Sequence, residues 1–228
     1  VTKERAMGGG TGELVMVHTV AGLIDLFDEL SAEIDPDVPV RHVVEAALLT
    51  DAIDEGGLTD EIRARTRDAL LEATDGAALV LCTCSTVGPG ADDAEAQADV
   101  PILRVDRPMA EAAVAAGRRI TVAATLATTV GPTADLVADA ARRAGKEVEI
   151  DSVVFAEARA RLVAGDAEGH EWIIADGLHE AASSADAIVL AQASMTPALA
   201  RCADIQVPLL TSPRSGLEAA IARYRAAA

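Results

Sequence analysis

Short apolar runs alternate with longer stretches in which apolar residues recur at helical spacing, and this alternation organises almost the whole chain. Leu14–Val17 reads as a short buried strand, and Val20–Ile34 places Leu23, Ile24, Phe27 and Leu30 on one helical face. Val38–Val44 reads as a second strand. Leu58–Thr74 reads as a helix, with Thr59 as its N-cap and Glu61 in an acidic first turn. Ala77–Cys82 and Val100–Val105 read as strands, the latter with Pro101 near its start.

The second half repeats the alternation. Helices are expected over Arg107–Ala116 and Pro132–Ala144, and strands over Ile120–Ala124 and Val148–Val154. Phe155–Ser183 reads as helical with a break near Gly165. Strands Ala187–Leu190 and Pro208–Leu210 and a last helix Leu217–Tyr224 follow. Apolar strands alternating with helices imply α/β architecture, a parallel sheet covered on both faces.

A faint internal repeat divides this pattern in two. Ala78-Leu-Val-Leu-Cys-Thr-Cys84 lies without gaps over Asp186-Ala-Ile-Val-Leu-Ala-Gln192, so Cys84 faces Gln192 and Thr86 faces Ser194. A shift by one pairs Cys84 with Ala193 and Ser85 with Ser194, so the first register is favoured but not forced. Two similar halves imply two pseudo-symmetric lobes with a cleft between the C-terminal ends of their strands. The expected division is a flexible leader at 1–13, a first lobe at 14–107 plus 212–228, and a second lobe at 108–211.

Composition narrows the function. Half of the 228 residues are apolar but only 2% are aromatic, so the core is built from Ala, Val, Leu and Ile. The formal net charge of −18 repels phosphate backbones, and with so few aromatics it argues against nucleic-acid binding. No apolar run reaches bilayer length and no signal peptide opens the chain, so a cytoplasmic protein without a membrane partner is expected. The three cysteines make an odd number, which does not suit a disulfide framework, and no ligand spacing suggests a metal. Gly8-Gly9-Gly10-Thr11-Gly12 precedes the first strand and lacks a following Lys-Ser/Thr, so it is not a phosphate loop.

Chemistry concentrates in Leu81-Cys82-Thr83-Cys84-Ser85-Thr86-Val87-Gly88-Pro89-Gly90. An apolar strand runs into a cysteine, two hydroxyls and a Gly-Pro-Gly turn, which places Cys84 at the mouth of the sheet. Backbone N–H groups and the Ser85 and Thr86 hydroxyls there can lower a thiol pKa or hold an anion. Cys82 points to the same face, two residues earlier, and is assigned to the core.

The segment resembles the Cys-Asn-Thr motif of the aspartate/glutamate/hydantoin racemase superfamily, and Ala185-Asp186-Ala-Ile-Val-Leu-Ala-Gln-Ala-Ser194 resembles the motif where that family usually carries Gly-Cys-Thr. Val17-His18-Thr19-Val20, Ala124-Thr125-Leu-Ala-Thr128-Thr129 and Thr211-Ser212-Pro213-Arg214 fit the same pattern. The resemblance implies an active site between two lobes and two cysteines that exchange the α-proton of a carboxylate from opposite faces, with neither metal nor pyridoxal phosphate. Carried over by position, Cys84 is one acid/base, and Ser85, Thr86, Thr125, Thr128, Thr129, Ala193 and Ser194 line the substrate. Gln192 stands where the second cysteine is expected, and an amide does not titrate near neutral pH.

The leading expectation is a cofactor-independent racemase or other isomerase acting on a small carboxylate such as an amino acid or derivative, and three readings of its mechanism stay open. Cys84 serves one face only, as in a decarboxylase or cis–trans isomerase of a malonate- or maleate-like diacid. It adds covalently to the substrate. Or a second group serves the other face, His18 being the first candidate. Glu45 is a candidate to orient His18 or bind an amine, and Arg214 a candidate carboxylate clamp. His170 and His179 are expected to be exposed, and Trp172 and Phe155 to be packing residues. A small-molecule binding protein without turnover is the rival class, and a homodimer is the default assembly.

Overall fold

The structure is a computed structural model that describes residues 12–227, so most of the expected leader lies outside the described residues. Its strands are β1 (Glu13–His18), β2 (Val40–Val44), β3 (Ala77–Cys82), β4 (Ile102–Arg104), β5 (Arg119–Ala124), β6 (Glu149–Val154), β7 (Ala187–Leu190) and β8 (Leu209–Thr211). They form two four-stranded parallel sheets ordered β2-β1-β3-β4 and β6-β5-β7-β8. The central strands are buried on both faces, which is why they read as unbroken apolar runs. The edge strand β6 instead shows Glu149, Asp151 and Ser152 to solvent.

Helices cover each sheet on both sides. On the first sheet, α1 (Ile24–Ile34) and α9 (Ser212–Ala227) bring Phe27, Leu30, Leu217, Ile221 and Tyr224 onto Leu14, Met16, Leu79 and Leu81. The opposite face carries α2 (Ala46–Asp54), α3 (Asp60–Glu72) and α4 (Gly88–Glu95), packed on Val15, Val17, Val80 and Cys82. On the second sheet, α5 (Arg107–Ala116) and α6 (Ala127–Arg143) cover Ile120, Val122 and Val189. There α7 (Ala156–Val163) and α8 (Ala167–Ala182) cover Ala123, Ile188 and Leu190.

Several elements depart from the sequence reading. The helix expected from Val20 opens as a 3-10 turn at Ala21–Leu23 before α1. The helix α2 was not anticipated, and the Gly-Pro-Gly expected to turn after Cys84 begins α4 instead. Pro89 fits there because the first turn of a helix needs no N–H from it. Similarly, α6 starts at Ala127, not Pro132. The ring is accommodated in its second turn, at the loss of the N–H that would bond the Thr128 carbonyl. A further 3-10 stretch covers Ala193–Arg201.

The expected break near Gly165 separates α7 from α8. Gly165 has φ +82°, and the amide of Asp166 returns to the Arg161 carbonyl at 2.9 Å, a glycine-terminated helix end. Thr59 caps α3 as read, its hydroxyl accepting from the Ile62 N–H at 3.3 Å. Phe155 packs in the second lobe's core, where its ring lies so close to Gly177 that a Cβ there would be 2.1 Å from it.

The two lobes repeat each other hydrogen bond by hydrogen bond. Thr83 N–H donates to the Val17 carbonyl at 3.1 Å, as Ala191 N–H does to Ala123 at 2.9 Å. Glu45 N–H donates to the His18 carbonyl at 2.7 Å, as Phe155 N–H does to Ala124 at 2.8 Å. This equivalence puts Cys84, next after Thr83, opposite Gln192, next after Ala191. In both sheets the strand order reverses at the central pair, and that reversal opens a crevice at the strands' C-terminal ends.

Candidate active site between the lobes

A cleft of about 140 Å³ opens at these two crevices and is lined from both lobes. Cys84, Ser85 and Thr86 reach it from the loop after β3. Gln192, Ala193 and Ser194 reach it from the loop after β7, and Leu126 and Thr129 from the start of α6. The floor is tied together where the hydroxyls of Thr86 and Thr129 meet at 2.9 Å across the lobes, both residues fully buried.

Cys84 is half-buried, while Cys82 and Cys202 are buried, and all three are free thiols. Burial pushes the Cys82 thiol up to about 12, and it packs among Val17, Val80 and Val87 as a small apolar residue. Cys84 is thus the one thiol of the three that is presented to the cleft.

The orientation of Gln192 is fixed. Its Oε1 accepts from the Thr125 N–H at 2.6 Å, the Thr125 hydroxyl at 3.0 Å and the Leu126 N–H at 3.0 Å. Backbone N–H groups only donate, so the oxygen must be the atom that faces them, and the amide nitrogen is left with its two donors for the cleft. Thr125, 2% exposed, therefore clamps Gln192 and does not itself line the cleft.

The remaining expectations divide. His18 is completely buried and is not a lining residue; its Nε2 lies 2.8 Å from His42 Nδ1 and its Nδ1 lies 2.9 Å from the Thr83 hydroxyl. Burial, then the neighbouring His42, pull its pKa down to about 4, so it is neutral near pH 7. His42 Nε2 in turn lies 3.0 Å from Asp28 Oδ1. A carboxylate only accepts, so His42 donates from Nε2 to Asp28, while the single Thr83 hydroxyl proton lies within reach of both His18 Nδ1 and the Val17 carbonyl at 3.1 Å.

Glu45 precedes α2 without lining the cleft, and Thr128 has its hydroxyl buried without a partner instead of facing a ligand. Arg214 is exposed and pairs with Glu33 and Glu218 away from the cleft. His170 is buried, contrary to expectation, its two ring nitrogens at 2.8 Å from the Ala158 carbonyl and 3.1 Å from that of Ser194. It thereby braces α7 against the Gln192 loop. His179 is partly exposed beside Asp204. Trp172 is half-exposed, with the Arg201 guanidinium 4.5 Å above its ring, so it is a surface residue and not a core one.

Sequence reasoning missed Arg159. It projects from α7 into the cleft and has no carboxylate partner among the described residues, whereas Arg161 nearby pairs with Glu157 and Asp166. The sequence repeat gave no cue, because it covers only the ends of β3 and β7; it is in the fold that Arg159 occupies in the second lobe the place that Leu49 occupies in the first. Also missed were Thr83, Ser212 and the apolar wall of Val20, Leu23, Leu49, Leu126 and Leu162. No aspartate or glutamate lines the cleft among the described residues, although the chain as a whole is strongly acidic. The described residues contain no cluster of three or more His, Cys, Asp or Glu placed to hold a metal ion, and no helix long and apolar enough to cross a membrane.

The sequence matches the family model described as Asp/Glu/Hydantoin racemase over residues 17–220. No curated protein matches the chain by sequence. Among solved structures, glutamate racemase of Thermus thermophilus is similar with a TM-score of 0.70 at 16% identity, over 95% of this chain and 82% of that one. Aspartate racemase of Picrophilus torridus is similar with a TM-score of 0.64 at 16% identity, over 95% and 94%. A cysteine-for-glycine variant of arylmalonate decarboxylase has a TM-score of 0.56 at 16% identity, over 95% and 94%. At these identities the similarity is one of fold.

Proposed function

The chain belongs to the Asp/Glu/hydantoin racemase family, and we propose that it is a proton-transfer enzyme acting on a small carboxylate through a single cysteine, Cys84. One observation carries this reading. Among the described residues that line the cleft, Cys84 alone carries a thiol, the one nucleophilic sulfur presented to a ligand there.

Cys84 thiolate removes the α-proton, or Cys84 thiol protonates the carbon after a C–C bond to a departing carboxylate has broken. In either case the electron pair spreads onto the retained carboxylate as an enediolate. Gln192 Nε2 and the Ser85 and Thr86 side chains are the donors nearest to hand for that charge. Losing one such fixed donor typically costs about 2.7–4 kcal/mol of transition-state stabilisation.

Two-base racemisation needs a second acid on the opposite face. Gln192 is an amide, and His18 is walled off behind Thr83. The arrangement therefore favours one-face reactions: decarboxylation of a malonate-like diacid or α-proton exchange with retained handedness, ahead of cis–trans isomerisation of a maleate-like one, which requires Cys84 thiolate to add to the double bond and leave again after rotation about the resulting single bond.

The test is proton NMR in D2O with single enantiomers of amino acids and hydantoins, with malonates and with maleate, using Cys84→Ala as control. Cys84-dependent deuterium uptake with retention, or a new product from a diacid, is expected. Uptake with loss of optical purity would replace the proposal by two-base racemisation. Saturable binding without any turnover would make the chain a binding protein.

A further inference from the structure

The pseudo-twofold relation that pairs Cys84 with Gln192 also pairs Leu49 with Arg159. Each follows the residue whose N–H closes the crevice, Glu45 onto His18 and Phe155 onto Ala124, by one helical turn. At both pairs the polar donor lies on the second lobe. Arg159 and the Gln192 amide nitrogen face the cleft from that side, and Val20, Leu23 and Leu49 face it from the first.

We infer that the substrate is a carboxylate bearing an alkyl or aryl substituent, its carboxylate held by Arg159 and Gln192 Nε2 and its substituent set against Val20, Leu23 and Leu49. This deepens the single-cysteine reading and rests on it. A guanidinium left without a protein carboxylate, in an acidic chain and in a cleft free of acidic residues, is matched by an anionic ligand. The same wall disfavours a side chain that ends in a second charge, because Arg159 is the only cationic lining residue among those described and a charge against leucine and valine has no partner. Aspartate-like, glutamate-like and maleate-like substrates are thereby selected against, which leaves, of the one-face reactions above, decarboxylation of a substituted malonate and α-proton exchange. An arrangement that reads one carboxylate and one apolar group also fixes which face of the α-carbon meets Cys84.

Titration calorimetry with phenylacetate, phenylacetamide and succinate tests this, on the wild type and on Cys84→Ala. Binding is read whether or not Cys84 turns anything over, so a failure here is distinct from a failure of the catalytic reading. Phenylacetate is expected to bind more tightly than either comparison ligand, with Arg159→Gln weakening it by about tenfold or more and leaving phenylacetamide unchanged. Leu49→Ala is expected to weaken phenylacetate but not succinate. Succinate binding as tightly as phenylacetate, phenylacetate binding unaffected by Arg159→Gln, or no phenylacetate binding by the wild type would each overturn the inference.

Discussion

The side-chain oxygen of Gln192 lies 2.6 Å from the backbone nitrogen of Thr125, with the Thr125 hydroxyl and the Leu126 N–H also aimed at it. Three donors on one acceptor hold the amide as a fixed part of the cleft. Gln192→Leu is expected to lower stability by about 1–3 kcal/mol, since it strands those donors. Gln192→Glu keeps an acceptor for them but turns an oxygen instead of N–H groups toward the ligand. Its urea midpoint should stay near wild type while phenylacetate affinity falls by about tenfold or more.

Cys84 should be the thiol that reagents find. In the native protein, iodoacetamide is expected to modify Cys84 ahead of Cys82 and Cys202, both buried and both with their thiol pKa raised by burial. Peptide mass mapping reads the site. Cys84→Ala should reduce proton transfer by about a hundred- to ten-thousand-fold without a change in unfolding midpoint beyond that of a small side-chain loss.

Acid should weaken the fold through His18. Its pKa is lowered from 6.5 to about 4, so between those values the unfolded chain binds a proton that the folded chain refuses. Stability is therefore expected to fall as the pH drops from about 6.5 to 4, by about 3 kcal/mol in total. Urea midpoints across this window should show the slope, and His18→Gln should flatten it. An equally steep slope in the variant would assign the effect to other groups.

A buried ionic cluster supports the loop that carries Cys84. The guanidinium of Arg104 forks onto both Asp106 oxygens at 3.0 Å and reaches Asp92 at 2.8 Å, and it lies against Gly88 at the start of α4. Arg107 continues the cluster to Asp139 on α6, in the other lobe. Arg104→Ala leaves Asp106, 1% exposed, as an unpaired buried charge and should cost about 3–5 kcal/mol in chemical denaturation. Replacing both, as Arg104→Met with Asp106→Leu, should cost less than the single change.

Strands and their order of burial were legible because a strand covered on both faces leaves an unbroken apolar run, as Ala77–Cys82 and Ala187–Leu190 do with no error of boundary. The helix α2 was not, because Ala46–Asp54 follows β2 after a single residue, with no capping side chain and only Leu48 and Ala52 buried. The prolines misled too: Pro89, read as part of a turn, lies in the first turn of α4, and Pro132, read as a helix start, lies in the second turn of α6.

At the site, Cys84, Gln192 and the loops beside them were legible because strand ends at a topological reversal fall into the cleft whatever the side chain. Arg159 and Arg214 show the limit. Both are arginines near a helix start, and only the fold decides that Arg214 meets Glu33 while Arg159 lines the cleft. His18 was read by its strand end alone, which fixed its backbone but not that its ring turns inward to His42.

The Thr86–Thr129 bond joins the two halves between buried hydroxyls that both line the cleft. Any relative motion of the lobes that preserves it must turn about that point, as a pair of tongs turns about its rivet.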